Sequence, residues 1–521
     1  MNTITPLGQQ FVDTLERVDA HAKQRQEYLK PIEKVHIVGA GGTITAAYEQ
    51  LRNAAEYTEE HLLLQRAIQR FFKRLFSTRD KARIANCGEE LAVELTLAGY
   101  MANDHIPITV VQKIGGEAAV YFAAYEQYIG QLGSEKSDNW AVAPLAVQVE
   151  SMLTDHTRRS AFVQFAYQFF IDSIVVDRVF KSGKPDNYDA SVFIAVHRML
   201  LKSDNATIRH ALLERYQASP VNIVQYQQIN QQLDALIESD TVEKIGRIVN
   251  RRGAPLRILW RMVAEVPELP TILQNREKFL SAYESQIEAE YREMNTRINR
   301  GIVKSVVFLI ITKFVIGIGL EVPYDYVVHG AIIWLPLLIN LLFPPVYMIL
   351  LRLTLVLPNR VNTTALVDRM DALLYAQRPT LSITSSESTV NNYSTAFNVL
   401  YAVLIVAVFG AAGWGLWLLG FGVLHLAIFF IFLSTASFLG FRLSRMVREI
   451  ETVDAEQNGV SMIRDFLYLP FVVVGRWISE KYSKVNIIAM ILDMVIELPL
   501  KTVIRLVQQW GKFISSKKDE L

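Results

Sequence analysis

Lys313 lies about eleven residues into an apolar stretch, Ile302–Leu320, that otherwise carries only Lys304. An ammonium held in hydrocarbon costs at least about 2.5 kcal/mol, and intramembrane ionisable residues commonly mark a pathway or relay. The alternative is a side chain that snorkels to the interface. Asn340 sits in a second apolar run, Tyr326–Leu351, which has no formal charge. Pro344–Pro345 interrupts that run, because proline removes a helical donor and clashes with the preceding turn. Broken helices mark transport sites, so Lys313, Asn340, Pro344 and Pro345 are candidates for transport or for packing. A lone cation among apolar residues would suit an anion. Asn340, Ser434, Thr435 and Ser437 supply interhelical hydrogen bonds. The connection EVPYD, with Glu321 and Asp325, reads as a loop between spans. On that reading no carboxylate lies inside a span, which argues against a carboxylate proton relay.

Other chemistry is hard to find. Val35–Thr43, VHIVGAGGT, opens like a dinucleotide-binding turn, but the third glycine position is Ile44 and no second strand with a terminal acid follows. The nine histidines form no His-x-x-x-His or Glu-x-x-His pattern, so no metal site is expected. There is no Walker loop, Gly-x-Ser-x-Gly or Cys-x-x-Cys, and one cysteine, Cys87. No catalytic residue and no cofactor is assigned, and an enzyme acting on a lipid-like substrate is the weakest of the readings. Gly41–Gly42 and Gly115–Gly116 are each followed by Ala-Ala-Tyr-Glu-Gln at slightly different spacing, a faint internal echo.

The elements that must position Lys313 and Asn340 are membrane helices. From Ser388 to Phe441 there is no Asp, Glu, Lys or Arg, long enough for two crossings with a turn near the glycines at 410, 413, 415, 420 and 422. With Ile302–Leu320 and Tyr326–Phe343 this gives four transmembrane helices in two hairpins. Basic residues flank every hairpin on one side: Arg292, Arg297 and Arg300 before the first, Arg352 and Arg360 after it, Arg442, Arg445 and Arg448 after the second. The positive-inside bias then places both termini in the cytoplasm, most simply at a plasma (inner) membrane. The N-terminus shows no signal-peptide pattern. The ending Lys518-Asp519-Glu520-Leu521 spells an ER retrieval signal, but a lumenal receptor reads that signal and the charge rule puts this end elsewhere.

The expected fold is all-α. Residues 1–300 form a mostly helical cytoplasmic domain, with strand-like runs only at 35–40 and 106–111, and 301–351 the first transmembrane hairpin. Residues 352–395 form a cytoplasmic loop, 396–441 the second hairpin and 442–521 an amphipathic helical tail. Apolar and charged residues alternate through 463–513, which reads as helices in the cytoplasmic interface or packed on the soluble domain. The last soluble helix has no proline after Pro270 and is expected to run unbroken into the first span.

Two basic stretches, including Arg66, Arg70, Lys73 and Arg74, then Arg251, Arg252, Arg257 and Arg261, are candidates for contact with anionic lipid headgroups. Ordinary helix faces balanced by nearby acids are the alternative. The net charge of +1 implies no polyelectrolyte partner, and nucleic acid is not expected. At 51% hydrophobic residues and a mean hydropathy of +0.20, the chain reads as one large soluble part and one membrane part. The leading functional expectation is a scaffold or interaction module at the bilayer, with a protein partner for residues 1–300. An oligomeric transporter or channel using Lys313 is the alternative, since four spans need further copies of the chain to enclose a pathway.

Overall fold

The fold comes from a computed structural model, which describes residues 4–37, 49, 62–180, 183–355, 358–376, 395–452 and 459–484. Among these residues there is no strand. A single bridge joins Lys34 to Pro107, with Val35 N donating to Ile106 O at 2.9 Å and Ile108 N to Glu33 O at 3.0 Å. The strand expected at 106–111 instead opens a helix at Ile108. Pro107 precedes that helix in extended conformation, and the residues beyond it bury one face. The described residues fall into two compact units: Pro6–Val249 with Val263–Pro270, and Asn250–Met262 with Thr271–Val485.

The first unit contains α1 (Pro6–Leu29), α2 (Leu63–Ser77), α3 (Lys81–Ala85), α4 (Gly88–Leu97), α5 (Ile108–Leu132) and α6 (Ala143–Leu153). It continues with α7 (Thr157–Ser173), α8 (Tyr188–Leu200), α9 (Asn205–Arg215), α10 (Ile223–Ile237) and the start of α11 (Asp240–Arg252). The helices follow their sequence pattern: α2 buries Ile68, Phe71, Phe72, Leu75 and Phe76 at three-to-four spacing. Aromatic rings fill the core, with Phe11 stacked on Phe165 at 4.3 Å and Phe76 edge-on to Phe122 at 5.0 Å. Asp204 caps α9 by accepting from Thr207 N, and Asn222 caps α10 through Gln225 N. Arg158 clamps α1 to the unit. It forms a forked pair with Asp19 and donates to the carbonyls of Val263, Val266 and Pro267.

The second unit holds α12 (Ala254–Glu265, of which Ala254–Met262 belong to it), α13 (Arg276–Ile316), α14 (Val322–His329), α15 (Trp334–Thr354) and α16 (Arg360–Tyr375). It ends with α17 (Thr395–Leu418), α18 (Val423–Arg448) and α19 (Gly459–Lys484). Four helical stretches are long and apolar enough to cross a membrane: Arg276–His329, Trp334–Leu353, Val399–Leu418 and Val423–Arg448. The first is α13 joined to α14 through a π turn, Gly317–Glu321. Its 41-residue α13 does run unbroken from polar to apolar sequence. Met294, Ile298, Ile302, Leu309, Met348, Ile428 and Phe432 form one buried seam among α13, α15 and α18. Below the spans, Arg276 pairs with Asp371, and Asn362 bonds Tyr291, Ile450 O and Thr452 N.

Three expectations change here. EVPYD is not a loop. The π turn carries the helix through Glu321 into α14, and Pro323 lies just after it within one continuous helical stretch. The second span therefore begins at Trp334 instead of Tyr326, after a turn at Gly330. Pro344 and Pro345 do not end it, since α15 passes through both to Thr354. Finally, the described part of the tail does not lie apart in the interface. α19 packs along α18, with Tyr468 donating to Ser437 O at 2.8 Å and Phe471 against Phe409 and Phe430. Gly475 makes this approach feasible: a Cβ there would stand 2.0 Å from Ser434 O. Gly41–Gly42, most of the loop 377–394 and residues 485–521, including the KDEL ending, lie outside the described residues.

Candidate functional site

Three membrane helices bring ionisable and polar side chains into one buried line. α13 contributes Lys313, the π turn Glu321 and α14 Asp325, spaced at 313, 321 and 325 along one helix. Eight residues of regular α-helix would carry Glu321 roughly 80° around from Lys313. The wider π turn removes much of that offset and returns the carboxylate to the lysine's face. α15 adds Asn340 and Tyr347, and α18 adds His425, Ser434 and Ser437. Asp325, Asn340, His425, Ser434 and Ser437 are fully buried, with Glu321 1% and Lys313 2% exposed.

At the turn end of the hairpins, His425 Nε2 lies 3.3 Å from Asp325 Oδ1, and Asp325 Oδ2 accepts from Ile333 N at 3.0 Å. Asn340 Nδ2 donates to Glu321 Oε1 at 3.1 Å and to His425 O at 3.2 Å, tying the two levels together. Lys313 Nζ stands 3.9 Å from Glu321 Oε1 and 4.2 Å over the Phe432 ring. The lysine therefore does not snorkel. Towards the basic flanks the line continues through Ser434, then Ser437 hydrogen-bonded to Tyr347 at 2.9 Å. Arg352 follows, donating to Asn295 and Asn299.

Buried polar atoms are ordinarily hydrogen-bonded. Here Lys313 Nζ, Asp325 Oδ1, Asn340 Oδ1, both ring nitrogens of His425 and Ser434 Oγ have no hydrogen-bond partner among the described residues. A buried ion pair stabilises weakly at best, because desolvation offsets the attraction. A structural pair would also be hydrogen-bonded more fully than this one. The site has two carboxylates beside one ammonium and one imidazole.

Of the four residues proposed from sequence, Lys313 and Asn340 meet in this line, one on each side of Glu321. Pro344 and Pro345 form no part of it. Glu321, Asp325 and His425 were missed. The signal was partial: 313, 317, 321 and 325 recur every four residues, a stripe that drifts about 40° per step in a regular α-helix and that the π turn straightens.

The basic candidates are held by protein groups. Arg66 pairs with Asp204 at 3.2 Å, Arg70 with Glu49 at 2.6 Å, Lys73 with Asp138 at 2.8 Å and Arg74 with Glu94 at 2.6 Å. Arg257 donates to Glu449 O and to Asn250, and Arg261 lies 3.6 Å from Glu290. Arg251 is exposed and Arg252 half-buried. Cys87 is buried and its thiol is pushed up to about 12, so it is no nucleophile at neutral pH.

The first unit holds its own buried titratable groups. His197 and Arg159 both meet Ser203 Oγ, at 3.2 and 2.8 Å. Burial lowers His197 to about 3 and His156 and His210 to about 4, and raises Glu150 to about 7. The three imidazoles bind protons only on unfolding, so their contribution is full above pH 6.5 and is lost as pH falls. Glu150 acts oppositely, its contribution falling as pH rises from 4.5 to 7. Three protons against one make stability rise with pH to a maximum near pH 6.5. Glu150→Gln is expected to steepen the acid limb by about 1.4 kcal/mol per pH unit. Hydrogen exchange of α8 amides between pH 4.5 and 6.5 reads this directly, and an unchanged slope would refute it.

No family model, curated protein or solved structure matches this chain.

Proposed function

We propose that the membrane unit conducts protons across the bilayer along this line, and that it does so as a gated pathway. One observation carries the reading: Lys313, Glu321, Asp325 and His425, all ionisable and all buried, converge with hydrogen-bonding capacity left open. Intramembrane ionisable residues in this arrangement are characteristic of relays. In the proposed sequence His425 and Asp325 exchange the proton at one end. Glu321 takes it next, and the Lys313 ammonium favours return of Glu321 to its carboxylate. Asn340 moves no proton and fixes the distance between the two carboxylate levels. The hydroxyls of Ser434, Ser437 and Tyr347 lead onward.

With the basic flanks in the cytoplasm, the Asp325–His425 end faces outward, at a plasma (inner) membrane. A second copy of the chain is the proposed cover for α17, whose apolar window has none of its residues buried. Anionic lipid is the proposed neighbour of the basic flanks.

The test is proton uptake into vesicles holding the purified protein, driven by a potassium gradient with valinomycin and followed by a pH-sensitive dye. Flux at least about tenfold above empty vesicles is expected, falling to background in Glu321→Gln. Wild-type flux equal to empty vesicles under gradients of either sign would overturn the proposal.

A scaffold role of the first unit is a second reading. It is supported by Val221, 77% exposed at the rim of a cavity, and by Val224, 64% exposed.

A further inference from the structure

The first unit contains a cavity of about 530 Å³, within the range of small-molecule sites. Its walls come from α5, α6, α9 and the segment after α9. Val120 and Leu213 give it an apolar floor. Around that floor stand Lys113, Glu117, Tyr121, Gln148, His210 and Glu214.

Their chemistry is specific. Tyr121 donates to Gln148 Oε1 at 2.9 Å, which leaves the Gln148 amide protons to donate elsewhere. His210 is 8% exposed and lines the cavity, with its Nδ1 3.8 Å from Glu214 Oε2, too far for a hydrogen bond. Among the described residues its ring makes no hydrogen bond. Burial keeps that imidazole neutral at pH 7, so it brings no positive charge. Glu117 and Glu214 both lie near enough to Tyr121 to hold its phenol above the ordinary value, after the larger effect of burial. Among the described residues neither carboxylate has a lysine or arginine partner within 4.0 Å. Two carboxylates against the single ammonium of Lys113, beside an aromatic ring and a buried imidazole, leave a net negative site for positive charge.

We infer that this cavity binds a small organic cation, an amine whose ammonium lies between Glu117 and Glu214 and whose carbon skeleton covers Tyr121. A neutral His210 ring nitrogen accepts a hydrogen bond from the second amine at its other end. The site is separate from the membrane line and does not depend on proton conduction.

Calorimetric titration of the full chain in detergent with 1,5-diaminopentane tests it, with pentan-1-ol and butyrate as neutral and anionic probes. Saturable binding of the diamine alone is expected, weakened at least about tenfold in Glu117→Gln and in Glu214→Gln. The Glu214 side chain is 72% exposed, so its substitution leaves the fold intact, and an unchanged melting temperature checks this. No saturation by about 10 mM diamine, equal affinity in the double variant, or preference for butyrate would each overturn the assignment.

Discussion

Lys313→Met is expected to lower the melting temperature of the detergent-purified protein by about 10 °C, and Lys313→Met/Glu321→Leu to restore most of it. Removing one partner of a buried pair costs about 3–5 kcal/mol, because the remaining charge has no compensation. Each kcal/mol is worth roughly 2–4 °C in a unit of this size. Among the described residues Glu321 would keep only Asn340 Nδ2 at 3.1 Å. Replacing both partners by apolar side chains of similar volume removes that cost, and is often neutral or stabilising. Proton flux should not follow stability. Both variants are expected to be silent in the vesicle assay, since neither retains the relay. A double variant that is stable and still conducts would separate the Lys313–Glu321 pair from transport. A Lys313→Met protein as stable as wild type would show that the pair is not the buried, coupled unit described here.

The second large effect is expected at Gly115, on α5. A Cβ at this position would lie 2.1 Å from the Ala85 carbonyl oxygen and 3.0 Å from its carbon. The obstacle is the backbone at the end of α3, which cannot rotate away as a side chain can. Gly115→Ala is expected to cost about 3 kcal/mol or more, and Gly115→Val to prevent the two helices from closing. Gly116 is the control, because a Cβ there meets nothing within 4 Å. Gly116→Ala should stabilise α5 by roughly 0.5–1 kcal/mol through helix propensity. Thermal melts of the pair read both signs, and equal effects at 115 and 116 would contradict the close crossing.

Much of the membrane unit was legible in the sequence because hydrocarbon imposes a simple rule. Apolar runs near Ile302, Trp334, Val399 and Val423 had to be helices, and they are. Lys313 and Asn340 were visible for the same reason, as polar residues where apolar ones belong. Glu321 and Asp325 were hidden by their company. Two acids, a proline and glycines imitate a loop, and only the four-residue stripe from Lys313 says otherwise. His425 was overlooked because an uncharged imidazole leaves an apolar run looking uninterrupted. In the first unit the helices could be read from periodicity, whereas the 530 Å³ cavity could not. Its walls come from residues near 113, 148, 210 and 220, and no local pattern announces that they meet. The role of Gly115 was equally silent. An internal echo marked the glycine pair, but which of the two faces a neighbouring backbone depends on packing alone.

The π turn at Gly317–Glu321 gives the long first span two possible registers. Conversion of the π turn to regular α-helix would return Glu321 to its offset of roughly 80° from Lys313 and turn α14 with it. Glu321 and Asp325 would swing off the face of Lys313 together, as one rigid block pivoting at Gly317 and Gly319, where an added Cβ would meet nothing. The span thus contains a notch: in one register the two carboxylates complete the line, and in the other they leave it.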